Sequence, residues 1–448
     1  MAVSQAFGKT LRKEFLFEER FLNLNHGSFG TYPAKIRDVL RDLQDRAEAR
    51  PDPFIRYDYP RLLDGSRAAM ANLLNAPVDS LVFVPNATTG LNTVLRNFTF
   101  RPGDKILYFA TIYGGCEKTV AYMTETTPVE DVKIAYTYPV SDEWLVQSLK
   151  DTVAAEKAAG SAVRFAIFDT VASMPGVRMP FERLTQACKE LGVMSFIDAA
   201  HGVGHVDLDL SKLDCDFLVS NCHKWLFVPR GCAIFFVPER NQHFIRSTIP
   251  TSHGFQPQPR NGGLSSVNPF EPSTKSAFVT NFEFVGTLDN SPYLCIEPAL
   301  KFRQALGGEE RIRSYCYHLA REGGQRVARM LGTCVLENDE QTLGNCCFSN
   351  VKLPLELNAV VRVADKINGR DDNASTVPFK VRDWLGSTMM REYDTFMALY
   401  FYGGAWWVRL SAQIYLEMED FEWGGKVVQE LCTRVMKGDF LPAVSEKL

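Results

Sequence analysis

The 448-residue chain is defined first by what it lacks. No stretch approaches the roughly 18 unbroken apolar residues of a membrane span. The opening "MAVSQAFGKTLRKEFLFEERFLNLNHGSFG" has no apolar h-region, so neither a secretory signal nor an anchor is expected, and the chain reads as soluble and cytoplasmic. A formal net charge of only −4 gives no broad basic field, which excludes nucleic acid or an anionic membrane as the main partner. The eleven cysteines, scattered from Cys116 to Cys432, contain no C-x-x-C pair. That absence argues against a disulfide framework and a zinc ribbon, predicts free thiols in a reducing compartment, and gives no metal site to expect. Internal repeats and low-complexity tracts are missing, and "GVGH" (202–205) fails the spacing of a dinucleotide fingerprint.

What is present is ordinary globular material, 46% hydrophobic and 23% charged, long enough for a large core and a second, smaller lobe. Short β-branched or aromatic runs alternate with helix-like segments: "LVFVP" (81–85), "KILYFA" (105–110), "VRFAIFD" (163–169), "VMSFID" (193–198), "DFLVS" (216–220) and "CAIFFVP" (232–238). Leu184, Ala187, Cys188 and Leu191 fall on one helix face, as do Leu91, Val94, Leu95 and Phe98. Continuous apolar strands of this kind suit a mostly parallel sheet buried on both sides, and the alternation gives the α/β class. Beyond about residue 300 the texture changes to a long helical pattern, "EERIRSYCYHLAREGGQRVARMLG", followed by the strand-like "CCFSNVKLPL" and "AWWVRLSAQIYL". The expected division is an N-terminal segment (1–35) packing near the active site, a large α/β domain (36–300) and a smaller C-terminal α+β domain (301–448), with "NGRDDNAST" (368–376) as an exposed loop.

Ligands in open α/β sheets sit outside the carboxyl ends of the strands. After "LVFVP" comes "NATTGLNTVL", where a helix expected to begin near Thr89 combines free backbone N–H groups with hydroxyls, a phosphate cradle; Thr88 or Thr89 would alternatively serve only as its N-cap. "VMSFID" ends on Asp198, a carboxylate that burial makes expensive without a cationic partner. His201 lies three residues on, and Lys224 follows the next apolar run in "SNCHKWLF". Alone, Lys224 reads as a solvated surface residue. Beside an acid and an anion cradle it reads as a desolvated amine, nucleophilic towards carbonyls. Phosphate anchor, pyridinium partner and aldehyde-trapping amine are the three protein parts that pyridoxal phosphate requires.

The ordered segments "FLNLNHGSFG", "NATTG", "DTVASMPGV", "FIDAAHGVGH", "SNCHKWLFVPRG", "FEFVGTLDNSP" and "WWVRLSAQIYLE" resemble the fold-type I pyridoxal-phosphate enzymes, specifically the class V aminotransferase group, over roughly residues 12 to 440. That group includes cysteine desulfurases and isopenicillin N epimerase; in texture the chain is most similar to the fungal hercynylcysteine sulfoxide lyases. The resemblance implies a seven-stranded sheet, a homodimer with a shared active site, and pyridoxal 5'-phosphate as cofactor. It makes Lys224 the lysine linked to the cofactor and Asp198 the partner of the pyridinium nitrogen. His201, where desulfurases carry glutamine, would meet the phenolic oxygen, with Ser173 on the same side. Ala87, Thr88, Thr89 and His223 would serve the phosphate, with Thr287 reaching it from the other subunit. Tyr113 would lie over the ring and is a candidate proton donor; Arg409 would grip the substrate carboxylate, with Asn25 as a second substrate contact.

These parts imply a lyase or transferase acting on an amino acid, foremost by β-elimination of a cysteine conjugate or its sulfoxide. The alternatives are a decarboxylating or γ-eliminating carbon–carbon bond-forming enzyme of fungal secondary metabolism, like those of the ustiloxin and loline pathways, an epimerase, or a cofactor-free binding protein. The stretch "GSTMMREYDTFMALYFYGGAWWVRLS" (386–411) contains no cysteine, which disfavours a persulfide-forming desulfurase. Tyr400, Phe401 and Tyr402 in it are either strand core or cation–π contacts for a substrate betaine.

Overall fold

The computed structural model describes residues 6–251, 255, 274–368 and 375–441. Its main sheet is built from β1 (Leu81–Val84), β2 (Asp104–Phe109), β3 (Glu130–Ile134), β4 (Ala162–Asp169), β5 (Met194–Asp198), β6 (Phe217–Asn221) and β7 (Ala233–Phe236). The spatial order is β1-β7-β6-β5-β4-β2-β3, parallel except where β7 runs antiparallel to both neighbours. This is the mostly parallel α/β sheet that the apolar runs lead one to expect.

Buried side chains cover both sheet faces. Val82, Ile106, Phe165, Phe196 and Val219 point into one core, Leu107, Phe168, Ile197 and Leu218 into the other. Helix α1 (Ala87–Asn97) seals the first side with Leu91, Val94 and Leu95, and α3 (Phe181–Leu191) seals the second with Leu184, Ala187 and Cys188. Each such leucine or valine contributes about 1.5–3 kcal/mol by leaving water. The start of α1 corrects the sequence reading: the helix begins at Ala87, and Asn86 rather than a threonine caps it, its Oδ1 accepting from the Thr89 N–H at 2.9 Å. Asparagine is as strong a cap as threonine, and three residues before Thr89 is where a cap must stand.

The later chain supplies α5 (Gly308–Leu331), an antiparallel sheet in the order β9 (Ala398–Tyr402), β10 (Ala405–Ser411), β8 (Phe348–Lys352), and α6 (Met418–Lys437). Of the expected loop at 368–376, residues 369–374 lie outside the described part, and Asn368 ends the helix Leu357–Asn368. The N-terminal segment is tied to both regions. Leu22 and Asn23 pair in parallel with Thr395 and Phe396, while the Arg230 guanidinium donates to the Phe29 and Gly30 carbonyls. At Gly30, with φ +62°, a Cβ would stand 1.8 Å from the His223 carbonyl oxygen, so only glycine lets this segment lie directly on the backbone that carries Lys224.

Candidate active site

Asp169 and Asp198 end β4 and β5 on one rim of the sheet, and β6 runs directly into the turn α4 (Cys222–Trp225) that carries Lys224. The intervening Ala199–Val203 turn is fixed by Ser220, whose hydroxyl donates to the Ala199 carbonyl at 2.5 Å and accepts from the Val203 N–H at 2.9 Å. That turn returns His201 to the rim, with Nε2 3.0 Å from the Lys224 Nζ and Nδ1 3.1 Å from the Trp225 indole nitrogen.

Burial pushes Lys224 down to about 8; the Asp198 carboxylate opposes this, Arg409 reinforces it, and Asp169 opposes it in turn. A substantial fraction of neutral amine near physiological pH is what aldehyde capture needs. Asp198 is itself buried, its Oδ1 accepting from the Ala200 N–H at 2.9 Å and its Oδ2 from the Cys116 thiol at 3.1 Å. Burial and the Asp198 charge raise that thiol well above its usual range, so Cys116 is a hydrogen-bond donor rather than a nucleophile.

Arg409 comes from β10 and is 1% exposed. Its Nη1 donates to the Ser173 carbonyl at 2.6 Å, and Nη2 donates to Asn25 Oδ1 at 3.1 Å and to the Ser28 hydroxyl at 2.9 Å. Nε has no partner, and no carboxylate among the described residues forms an ion pair with the guanidinium, which lies 4.3 Å over the Phe348 ring. Burial lowers Arg409 to about 10. A desolvated cation held by neutral acceptors is costly unless an anion joins it.

Around the α1 terminus, the Ala87 N–H is bonded to Asn221 Oδ1 at 2.9 Å, and Thr89 spends both its N–H and its hydroxyl on Asn86. The Thr88 side chain faces the Tyr113 side of the site: a Cβ placed on Gly115 would meet the Tyr113 ring at 2.8 Å and the Thr88 hydroxyl at 3.6 Å. Tyr113 caps α2 (Gly114–Thr126) and is half exposed. His223 Nδ1 bonds the Cys232 carbonyl at 3.1 Å, and burial lowers it to about 4.

The structure thus brings together Lys224, His201, Arg409, Asn25 and Ser173, sets Asp198 beside them, and places Thr88 near Tyr113. Thr287 lies apart and exposed, lining a 450 Å³ cleft with Arg41, Tyr59 and Leu288. Of the aromatic trio, Tyr400 is buried with its hydroxyl donating to Asn350 Oδ1 at 2.8 Å, Tyr402 accepts from the Tyr138 N–H at 2.7 Å, and Phe401 packs edge-on against Trp406. Sequence reasoning does not reach Asp169, Ser28 or Trp225. Asp169 ends its strand as Asp198 does, so the same rule of strand ends points to it.

Comparison with known proteins gives the family and the fold. Residues 58–257 match the aminotransferase class-V family. An L-cysteine desulfhydrase-like protein of Epichloe uncinata, lolT1, is 37% identical over 440 residues, covering 96% of this chain and 97% of that protein. Hercynylcysteine sulfoxide lyase of Schizosaccharomyces pombe is 26% identical and covers 97% of this chain and 100% of its own. Among solved structures, a complex of the cystine C–S lyase C-DES with cysteine persulfide superposes with a TM-score of 0.67 at 18% identity, over 95% of this chain and 99% of that one, which shows the shared fold. The chain belongs to the class-V aminotransferase family.

The residues present fit pyridoxal phosphate. A buried acid is available for the ring nitrogen, a desolvated amine for the aldehyde, and a helix start with Thr88 for the phosphate. Among the described residues no cluster of His, Cys, Asp or Glu could hold a metal ion, and no helix is long and apolar enough to cross a membrane.

Proposed function

We propose that this enzyme uses pyridoxal phosphate to cleave the C–S bond of a cysteine conjugate or cysteine sulfoxide by β-elimination. The observation that carries the reading is Arg409, a fully buried guanidinium bonded only to neutral acceptors and held in the same cluster as the Lys224 amine. One charged fork and one neutral amine are what an α-amino acid presents its carboxylate and its α-proton to. The relatives named a desulfhydrase-like protein and a sulfoxide lyase support the choice of a sulfur leaving group.

When bound, the cofactor supplies an electron sink for charge developing at the substrate α-carbon. Asp198 would hold the proton on the ring nitrogen, and Thr88 and His223 would hold the phosphate, with Thr89 and Ala87 joining them by exchanging their present bonds to Asn86 and Asn221. Arg409 and Asn25 fix the substrate carboxylate. Lys224, once its amine is free, takes the α-proton. Tyr113, half exposed at the α2 terminus, would return a proton. The C–H and C–S bonds break, the sulfur departs with the bonding pair, and hydrolysis of the three-carbon remainder gives pyruvate and ammonia.

Thr287, exposed beside a cleft away from Lys224, supports a homodimer in which it completes the partner's phosphate site. The eleven free thiols, of which only Cys334 is exposed, support a reducing, cytoplasmic compartment. The division at residue 300 is carried by the change in texture of the chain, that at residue 35 by the packing of Gly30 on the backbone that carries Lys224, and a place in secondary metabolism by the sequence resemblance. The test is incubation of the purified protein with S-substituted cysteine sulfoxides, cysteine and aspartate, with all products identified by mass spectrometry. Pyruvate and ammonia from a sulfur substrate support the proposal; carbon dioxide from aspartate with no C–S cleavage overturns it.

A further inference from the structure

An indole N–H can only donate a hydrogen bond, so the His201 Nδ1 that receives it from Trp225 at 3.1 Å must be the unprotonated nitrogen of a neutral ring. Burial, with the charges of Lys224 and Arg409 and the rings of His205 and His223 adding to it, keeps His201 neutral. Its single proton then resides on Nε2, which lies 3.0 Å from Lys224 Nζ. An Nε2–H facing an amine offers a proton and cannot accept one. It therefore favours the neutral Lys224 and opposes the ammonium form.

Trp225 has no freedom to release this bond. It is 1% exposed, its indole lies tilted against His205 at 4.0 Å between ring centres, and Phe348 and His26 pack at 5.4 and 5.2 Å. Its carbonyl accepts from Arg303 Nη1 at 2.7 Å. His205, the neighbouring imidazole, accepts from the Cys347 N–H at 2.7 Å through Nε2, so it offers His201 no competing acceptor role at that nitrogen.

Resting on the proposed function, we propose that Trp225 is a positioning residue that locks His201 in the Nε2–H tautomer and thereby holds Lys224 as a free amine and presents a donor to the phenolic oxygen of the bound cofactor. The other groups acting on Lys224 are Asp198 and Asp169 at the ends of β5 and β4, Arg409 from β10 and Cys116 from α2. Of these Asp198 foremost, with Asp169 and Cys116 to the extent that they ionise, favours the ammonium form, so the lock works against them.

Two measurements decide it. In the full chain labelled with 15N-histidine and kept free of pyridoxal phosphate, the His201 ring, identified by its loss in His201→Gln, should show a protonated Nε2 and a bare Nδ1; a protonated Nδ1 overturns the proposal. This readout stands whether or not the protein proves to be a lyase. The second is a cycle on pyridoxal-phosphate capture. Trp225→Phe should slow capture at pH 7 by about tenfold, the worth of one hydrogen bond to a charged or reacting group, and move its pH midpoint upward. In the His201→Gln background, where a side-chain amide donates with no tautomer to lock, the same substitution should change capture less than about twofold. Equal losses in both backgrounds would show Trp225 to be structural only and overturn the assignment. If Trp225→Phe does not fold, the histidine spectrum of the parent chain decides between the two tautomers by itself.

Discussion

Asp169 and Asp198 are registered partners at the ends of adjacent parallel strands, and both carboxyl groups are buried, 4% and 3% exposed. Two such acids cannot both ionise cheaply. Burial, then the neighbouring Asp198 charge, raises Asp169 well above the usual carboxylate range, so Asp169 is the acid of the pair that keeps its proton.

Because the protonated acid and an amide are nearly isosteric, Asp169→Asn should retain cofactor binding and turnover within a few-fold, whereas Asp198→Asn should lower turnover by about 10²-fold or more. Steady-state kinetics on the two variants checks the division of roles.

The same pair gives a signed pH dependence. In the unfolded chain Asp169 ionises near 3.8, while in the fold it keeps its proton to well above that value. Across that window the native state binds the extra proton, so this group's contribution to stability falls as pH rises. Thermal melts between pH 5 and 8 should therefore show Asp169→Asn gaining stability relative to the parent as pH increases.

Arg409→Lys should keep the fold and the cofactor but lower kcat/KM by about 10²-fold, since an ammonium lacks the planar fork that a carboxylate engages. Asn25→Ala, which removes only one acceptor orienting that fork, should cost about tenfold at most. Kinetics with a fixed amino-acid substrate ranks the two.

Cys116 should be silent towards alkylating agents and dispensable. Its thiol is buried and raised, and Cys334 is the exposed one. Limited alkylation of the native protein should label Cys334 first without loss of activity, and Cys116→Ser, which still donates to Asp198, should stay within a few-fold of the parent.

Much of this is legible in the amino-acid order alone. Six strands of the main sheet announce themselves because burial on both faces makes them continuous apolar runs; the seventh, Glu130–Ile134, is an edge strand whose exposed acids, Glu130 and Asp131, hide it. Lys224, Asp198 and Arg409 are readable because each stands just past or within an apolar run. Asp169 ends its own apolar run and the same rule marks it, but nothing local says that these two strands are neighbours whose acids stand in register. Trp225 reads only as bulk beside Lys224, since its importance depends on a turn 24 residues upstream that returns His201 to it. The Asn86 cap is hidden beside two threonines that are equally plausible in isolation.

The central claim is that the Lys224 amine, neutral in appreciable fraction because its folded value is about 8, captures the cofactor aldehyde. Capture should rise with pH through that value. The most direct test is borohydride reduction of the protein loaded with pyridoxal phosphate, followed by peptide mapping. The cofactor mass on Lys224, absent in Lys224→Ala, is the predicted result; stable labelling of a different lysine, or of none, would contradict it.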